Sequence, residues 1–403
     1  MWSFSKRNRQ ALALRKHIQK LLDHQRDVLP PQNVETVTRA LTDLNAAVLR
    51  HSSKESVQEQ MDRTAATAEK CLKTYPHPSW RENIEVLLVA LTVAMAIRTF
   101  FLQPFKIPTG SMQPTLFGVT SQPDYSDPFH PDTNTDFVIP AGLDRAREWF
   151  AGVSYVEVRA KVDGELERIN PPVKILIFNI YQTLVIGGKT HWIWFPPDYG
   201  DPRLDRLERA NLTIGSSYRK GDQVVRLKVV SGDHLFVNRL TYNFVKPKRG
   251  EIMVFETKGI NGLPQDQFYI KRMVALGNEH VQIGNDRHLI INGRRLDSTV
   301  PHFEKVYAFD PKVPPMDNHY SGHVNELIHA KSRPNDPYHL APLFPDESAV
   351  YEVAPDHYMV MGDNTLNSLD SRVWGDFPAS NVIGKSFFVY WPLSSRFGWG
   401  YHR

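Results

Sequence analysis

The chain has 403 residues, 41% apolar and 11% aromatic, enough for a substantial core and for two or three domains. A formal charge of +4 without a long Lys/Arg patch gives no reason to invoke nucleic acid. The single cysteine, Cys71, excludes an intrachain disulfide, so any exported part must fold on its apolar core alone.

Residues 1–82 read as polar and helical. Ala11–Leu22 places apolar residues at helical spacing with basic residues between them, Pro30-Pro31 breaks the pattern, and further helices are predicted over Val34–Leu49 and Val57–Leu72. The first helix has the makeup to lie on an anionic membrane surface, but a small helical bundle without chemistry is the plainer reading. Residues 83–102 are predicted to span a membrane. The 19 residues Ile84–Leu102 approach the ~20 needed. No charge falls between Val86 and Ile97, and Glu85 and Arg98 sit near the ends, where long side chains reach the interface. The segment begins too far into the chain for an ordinary cleaved signal peptide. Lys70, Lys73 and Arg81 precede it, whereas only Lys106 follows Arg98 before Arg145. The positive-inside rule therefore places 1–82 in the cytoplasm and 103–403 outside.

Beyond residue 102 the pattern becomes a series of short β-type runs: Val224–Val230, His234–Asn238, Glu251–Phe255, Phe268–Val274, His288–Asn292, Tyr358–Met361 and Lys385–Tyr390. Asn292-Gly293 is a hairpin signal. Many short strands with little helix predict a mainly β, antiparallel domain. Two stretches interrupt it. Residues 119–230 hold Pro/Asp-rich loops, a predicted helix near Ala141–Gly152, and the apolar run Val173–Ile186. That run contains Lys174, Asn179 and Gln182, and is read as strand rather than as a second membrane span. Residues 297–350 are rich in Pro, His and Asp and only weakly periodic. Within them His319, His323 and His329 have a spacing that binds metal on a helix, but Pro314-Pro315 and Ser321-Gly322 indicate a loop, and no metal site is assigned.

The candidate chemistry begins at Ser111, in Gln103-Pro-Phe-Lys-Ile-Pro-Thr-Gly-Ser-Met-Gln-Pro-Thr115, directly after the membrane segment. A serine hydroxyl needs a base before it becomes a useful nucleophile. The 16 histidines show no recognisable triad motif. Lys271, after Tyr269-Ile270 on an apolar strand, is the alternative if burial lowers its pKa. The polar loop Met361–Gly375 carries Asp363, Ser368, Asp370 and Arg372. It reads as a base-positioning loop held by an Asp370–Arg372 or Asp363–Arg372 ion pair, or as a plain Gly-Asp-Asn turn or a weak cation site; its spacing is not that of an EF-hand.

Taken in order, four stretches resemble the type I signal peptidases, membrane-anchored serine proteases with a Ser/Lys dyad. They are the Ser111 run, Gly232–Leu240 with Lys248–Phe255, Tyr269–Arg272, and Gly362–Asn364 with Asn367–Arg372 and Trp374-Gly375. The resemblance implies a signal-peptidase-like antiparallel β catalytic domain with two large insertions (119–230 and 297–350). It implies cleavage of preprotein signal peptides after small residues, with no cofactor, in a single-pass protein of a bacterial inner membrane. Membrane lipid and the secretion machinery are the further partners expected. Ser111 would be the nucleophile and Lys271 the base, with the Ser111 N–H and the Thr109 hydroxyl as oxyanion donors. Ser368 would orient the lysine, and Asp363, Asp370 and Arg372 would brace the loop. Ile107, Pro108, Met112, Tyr269 and Ile270 would line apolar substrate pockets.

The chain departs from the family pattern at Ala275–His280, where Leu-Pro-Gly-Asp is common and the turn must instead rely on Gly277-Asn278. At Leu366 a polar residue is often found, which predicts a thinner ion-pair network. The competing reading is a non-catalytic, membrane-anchored β protein that binds signal peptides or an export partner. A self-cleaving regulator is disfavoured by the anchor, and a Ser-x-x-Lys penicillin-type site is excluded by Pro114.

Overall fold

The computed structural model describes residues 6–50, 53–73, 78–126, 131–175, 178–308 and 322–399. The chain divides into two compact units, Met1–Val93 and Ala94–Arg403.

In the first unit, α1 (Lys6–Gln25), α2 (Pro31–Leu49) and α3 (Lys54–Cys71) pack as a bundle. Pro at the first position of α2 suits a helix start, where its missing N–H is not needed. The Ser53 hydroxyl accepts from the Ser56 N–H and caps α3. Apolar residues at helical spacing, such as Val37, Leu41, Leu44 and Val48, are buried on one face, as the sequence predicts.

The apolar helix α4 (Pro78–Ala96) continues into a π turn, Ile97–Phe101. The stretch Trp80–Phe101, 22 residues, is long and apolar enough to cross a membrane, and none of it is buried within the protein. At 1.5 Å per residue it spans about 33 Å, close to a hydrocarbon core of about 30 Å. From Val86 to Ile97 the helix carries no charge and is not buried, a surface suited to lipid. At Leu102 the helix passes without a linker into an edge strand, Leu102–Lys106, whose edge position tolerates Pro104.

In the second unit that strand opens a seven-stranded antiparallel sheet. Its spatial order is Leu102–Lys106, His234–Asn238, Val382–Trp391, Ile252–Glu256, Phe268–Leu276, His357–Met361 and Phe377–Pro378. The strands foreseen in the sequence are all present, with ends shifted by a few residues. Register pairs Met253 with Lys271 and Arg272 with Met361, so the lysine strand lies between two central strands. Its residues Lys271–Ala275 are all buried.

The turn after this strand forms despite its unusual sequence. Asn278 adopts φ 66°, a conformation asparagine tolerates, and its N–H donates to the Val353 carbonyl at 2.8 Å. Asn292-Gly293, both at positive φ, close a two-residue hairpin that pairs Ile291 with Arg294.

Residues 119–230 form a β structure with its own core. Strands such as Val153–Arg159, Phe178–Ile186, Lys189–Trp194 and Gln223–Val230 enclose Val156, Leu166, Leu184, Ile186 and Leu227. The predicted helix is Gly142–Phe150, and Val173–Ile175 and Phe178–Ile186 are strands as expected. In the second insertion, residues 309–321, and with them His319, fall outside the described part. The helix Glu326–Ser332 follows.

Candidate active site

Ser111 lies in a 3-10 turn, Gly110–Met112, ten residues after the end of the π turn. The turn is wedged between two parts of the chain. Met112 and Ile107 are buried in the core with Leu116, Leu235 and Val254. On the other side the Asn364 N–H donates to the Ser111 carbonyl at 3.0 Å, and Asn364 Nδ2 to the Gly110 carbonyl at 3.2 Å. Gly362 permits this approach: a Cβ there would stand 2.5 Å from the Ser111 carbonyl oxygen and 2.2 Å from Ser368 Oγ.

Lys271 Nζ lies 2.8 Å from Ser111 Oγ and 3.2 Å from the Ile270 carbonyl. The lysine is 5% exposed and the serine 6%. Burial lowers the lysine pKa from 10.5 to about 8, against the attraction of Asp370 and Asp363 and aided by Arg372. The Tyr269 ring, 5.7 Å from the amine, closes one side. The arrangement therefore places a readily deprotonated amine within proton-transfer reach of a hydroxyl.

Behind this pair stand two buried carboxylate–guanidinium pairs. Arg372 Nε and Nη2 donate to Asp370 at 2.8 and 2.9 Å, and the remaining N–H groups go to Thr365 Oγ1 and the carbonyls of Thr365, Ser368 and Val324. Arg372 holds the Asp370 carboxyl below its ordinary pKa even though burial works the other way. Asp363 takes Arg272 Nε and Nη2 at 2.7 and 2.6 Å, while Thr115 Oγ1 donates to the same carboxylate at 2.5 Å.

Two expectations change here. Of the two pairings expected for Arg372, the one with Asp370 forms, and Asp363 pairs with Arg272 instead, because Arg372 is already saturated by Asp370 and the loop carbonyls. The network is also not thinned by Leu366, whose side chain is buried and whose carbonyl accepts from Arg333 at 3.0 Å.

The other expected site residues are placed unevenly. Thr109 is exposed beside Ser111, and its side chain makes no capping bond. Ser368 is buried, but its hydroxyl makes no bond to the Lys271 amine, whose second bond goes to the Ile270 carbonyl instead. Of the apolar set, Pro108 is exposed, Tyr269 and Ile270 are half-buried, and Ile107 and Met112 are core. Arg272, Thr115, Asn364 and Thr365 were not singled out by the sequence. All four lie within or next to the motif stretches.

Among the described residues no group of three or more His, Cys, Asp or Glu side chains could hold a metal. His323 is buried with its Nδ1 2.9 Å from the Tyr307 hydroxyl, and His329 faces Asp336 at 3.3 Å.

The signal peptidase family model, peptidase S26, matches residues 80–120 and 217–391, more than half of the chain. The chain belongs to this family. The unmatched gap falls in the first insertion. Signal peptidase I of Leptolyngbya laminosa is 27% identical over 40% of this chain and 62% of its own length. Signal peptidase I of Pseudomonas fluorescens is 29% identical over 40% of this chain and 60% of its own length. The chain thus spans about three-fifths of these relatives. A crystal structure of a signal peptidase I from Enterococcus faecalis aligns with 35% of this chain and 97% of its own, at 22% identity and a TM-score of 0.21.

Proposed function

We propose that this family member is a membrane-anchored serine endopeptidase that removes signal peptides from exported preproteins. The observation that carries the reading is the 2.8 Å approach of a buried, unpaired lysine amine to the Ser111 hydroxyl. Neutral Lys271 takes the Ser111 proton as Oγ attacks the scissile carbonyl. The oxyanion is met by the Thr109 hydroxyl and by the Ser111 N–H, which as one of the first donors of a 3-10 turn has no acceptor within it. The lysine ammonium then passes its proton to the leaving amine, and a water, deprotonated by the same lysine, releases the acyl-enzyme. Asp370, Arg372 and Asp363 keep the loop behind the lysine rigid, with Ser368 packed between loop and nucleophile. Pro108, Tyr269 and Ile270 offer apolar surface to small substrate residues, with Ile107 and Met112 as the floor beneath.

The anchor explains the placement of the site. A signal peptide ends at the outer face of the bilayer, and a nucleophile tethered ten residues beyond Phe101 meets it there at high effective concentration. The charge bias around residues 83–102 gives a single-pass protein with its N-terminus in the cytoplasm and residues 103–403 outside. Membrane lipid and the secretion machinery are its expected neighbours.

The test is cleavage of a preprotein in detergent or liposomes by the full chain and by Ser111→Ala and Lys271→Ala. Both variants should be inactive while still folded. Near-wild-type cleavage by either would overturn the dyad, and peptide binding without turnover by the unaltered chain would favour the non-catalytic reading.

A further inference from the structure

The loop behind the lysine is gripped from the second insertion as well as from the nucleophile turn. The Val324 N–H donates to Thr365 Oγ1 at 2.9 Å, and the Leu343 N–H to the Arg372 carbonyl at 3.2 Å. Arg333, 10% exposed in its side chain, donates through Nη1 to the Leu366 carbonyl at 3.0 Å and through Nη2 to Asn367 Oδ1 at 3.2 Å. Those acceptors belong to the 3-10 turn Thr365–Asn367. The residue just before it, Asn364, is the one that bonds the Gly110 and Ser111 carbonyls, and the Asn367 N–H closes back on the Asn364 carbonyl at 3.1 Å.

Arg333 itself stands on a fixed base. The helix it terminates, Glu326–Ser332, starts from Asn325, which is fully buried. Asn325 Oδ1 accepts from the Ile328 N–H, and its Nδ2 donates to the Ile283 carbonyl at 3.1 Å. Asp336 also stands 3.6 Å from Nη1 of the guanidinium.

We propose that Arg333 is a positioning residue for the Ser111–Lys271 pair, acting through the Thr365–Asn367 turn and Asn364. The inference rests on the dyad reading above. Three-residue 3-10 turns have poor internal hydrogen bonding and need outside restraint, and a misplacement of about 1 Å in reacting groups costs about a hundredfold in rate. Arg333 touches neither reacting atom. The second insertion thereby becomes part of the catalytic scaffold.

The test uses the full-length protein in detergent with a signal-peptide substrate, comparing Arg333→Ala, Asn367→Ala and the double variant. Arg333→Ala should lower kcat by about tenfold or more, with KM within about twofold. A loosened turn admits water to Lys271, so the acid limb of kcat/KM should also move to higher pH. The charges that act on Lys271, those of Asp370, Asp363 and Arg372, are unaltered in these variants, and Asn367→Ala, which removes no charge at all, should move the limb in the same direction. Asn367→Ala should lose less, and the double variant should be no worse than Arg333→Ala alone. A folded Arg333→Ala enzyme with unchanged kcat and acid limb overturns the proposal, as does a kcat loss that leaves the limb in place and adds fully to that of Asn367→Ala. If Arg333→Ala does not fold, unaltered kinetics in Asn367→Ala overturn it. Inactive Ser111→Ala and Lys271→Ala enzymes beside a wild-type Arg333→Ala would sink this inference alone. Activity in either dyad variant would sink both.

Discussion

Raising the pH should switch the enzyme on over a range set by Lys271. Burial brings its amine from 10.5 to about 8. At pH 7 such an amine is neutral in about one molecule in ten, against about one in three thousand for an ordinary lysine. Burial thus enlarges the pool of usable base about 300-fold. The rate kcat/KM should climb about tenfold per pH unit on the acid side and level off above about 8. Initial rates on a fluorogenic signal-peptide substrate, taken from about pH 5.5 to about 10.5, would trace this limb. A profile flat to the acid end, or a limb near 6.5 where free histidine titrates, would refute a lysine base. The same burial has a stability consequence of definite sign. The folded pKa lies below the unfolded one, so the unfolded chain binds the extra proton between about 8 and 10.5, and stability rises with pH through that window. Below it the cost of holding the ammonium is fully present, about 3 kcal/mol. Lys271→Met should therefore be inactive yet more stable in urea at pH 7 by up to about that amount, and should lose this advantage by about pH 10.5. Equal or lower stability at pH 7 would mean that the amine is not buried as a cation at all.

Thr109→Val keeps shape and removes the exposed hydroxyl; kcat should fall by about 10²–10³ with little change in KM, because the lost bond exists only in the transition state. Gly362→Ala puts a methyl 2.2 Å from Ser368 Oγ and 2.5 Å from the Ser111 carbonyl, so the turn must move. Cleavage should drop sharply, and an enzyme of wild-type rate would show that the contact is slack.

Much of this architecture was legible in the sequence, for identifiable reasons. The apolar run at 83–102, the helical spacing before it and the Asn292-Gly293 turn are local signals, and local signals survive without knowledge of the fold. Lys271 and Arg272 are harder. Their strand is buried on both faces, so residues 271–275 show no alternation of period two, and adjacent charges there read most simply as exposed. The partner of Asp363 was illegible for a related reason. Within its own loop Arg372 is the obvious cation, whereas the true partner stands 91 residues earlier on a different strand. In the first insertion the Gly187-Gly188 turn, both residues at positive φ, directly follows the apolar run Val173–Ile186 and pairs Ile186 with Lys189, a partner the run itself does not announce. The grip of the second insertion on the catalytic loop leaves no sequence signal, because the bonds of Val324, Leu343 and Arg333 Nη1 each have a backbone atom at one end.

Burial lowers the pKa of Lys271, and the two arginine pairs limit what the nearby carboxylates can do to restore it. Lys271, Arg272 and Arg372 are all nearly buried, and two carboxylates, Asp363 and Asp370, lie among them. A guanidinium matches a carboxylate fork with two parallel bonds and cannot lose its proton, so each arginine pairs closely with one aspartate. The lysine is left with a hydroxyl and a carbonyl, neither of which stabilises a cation as a carboxylate would. Had Asp363 or Asp370 been free, its charge would have held the ammonium and pushed the amine back towards 10.5. The arginines thus act on the chemistry without touching substrate: by occupying every nearby anion they leave the one deprotonatable cation unpaired, beside the hydroxyl it is proposed to activate.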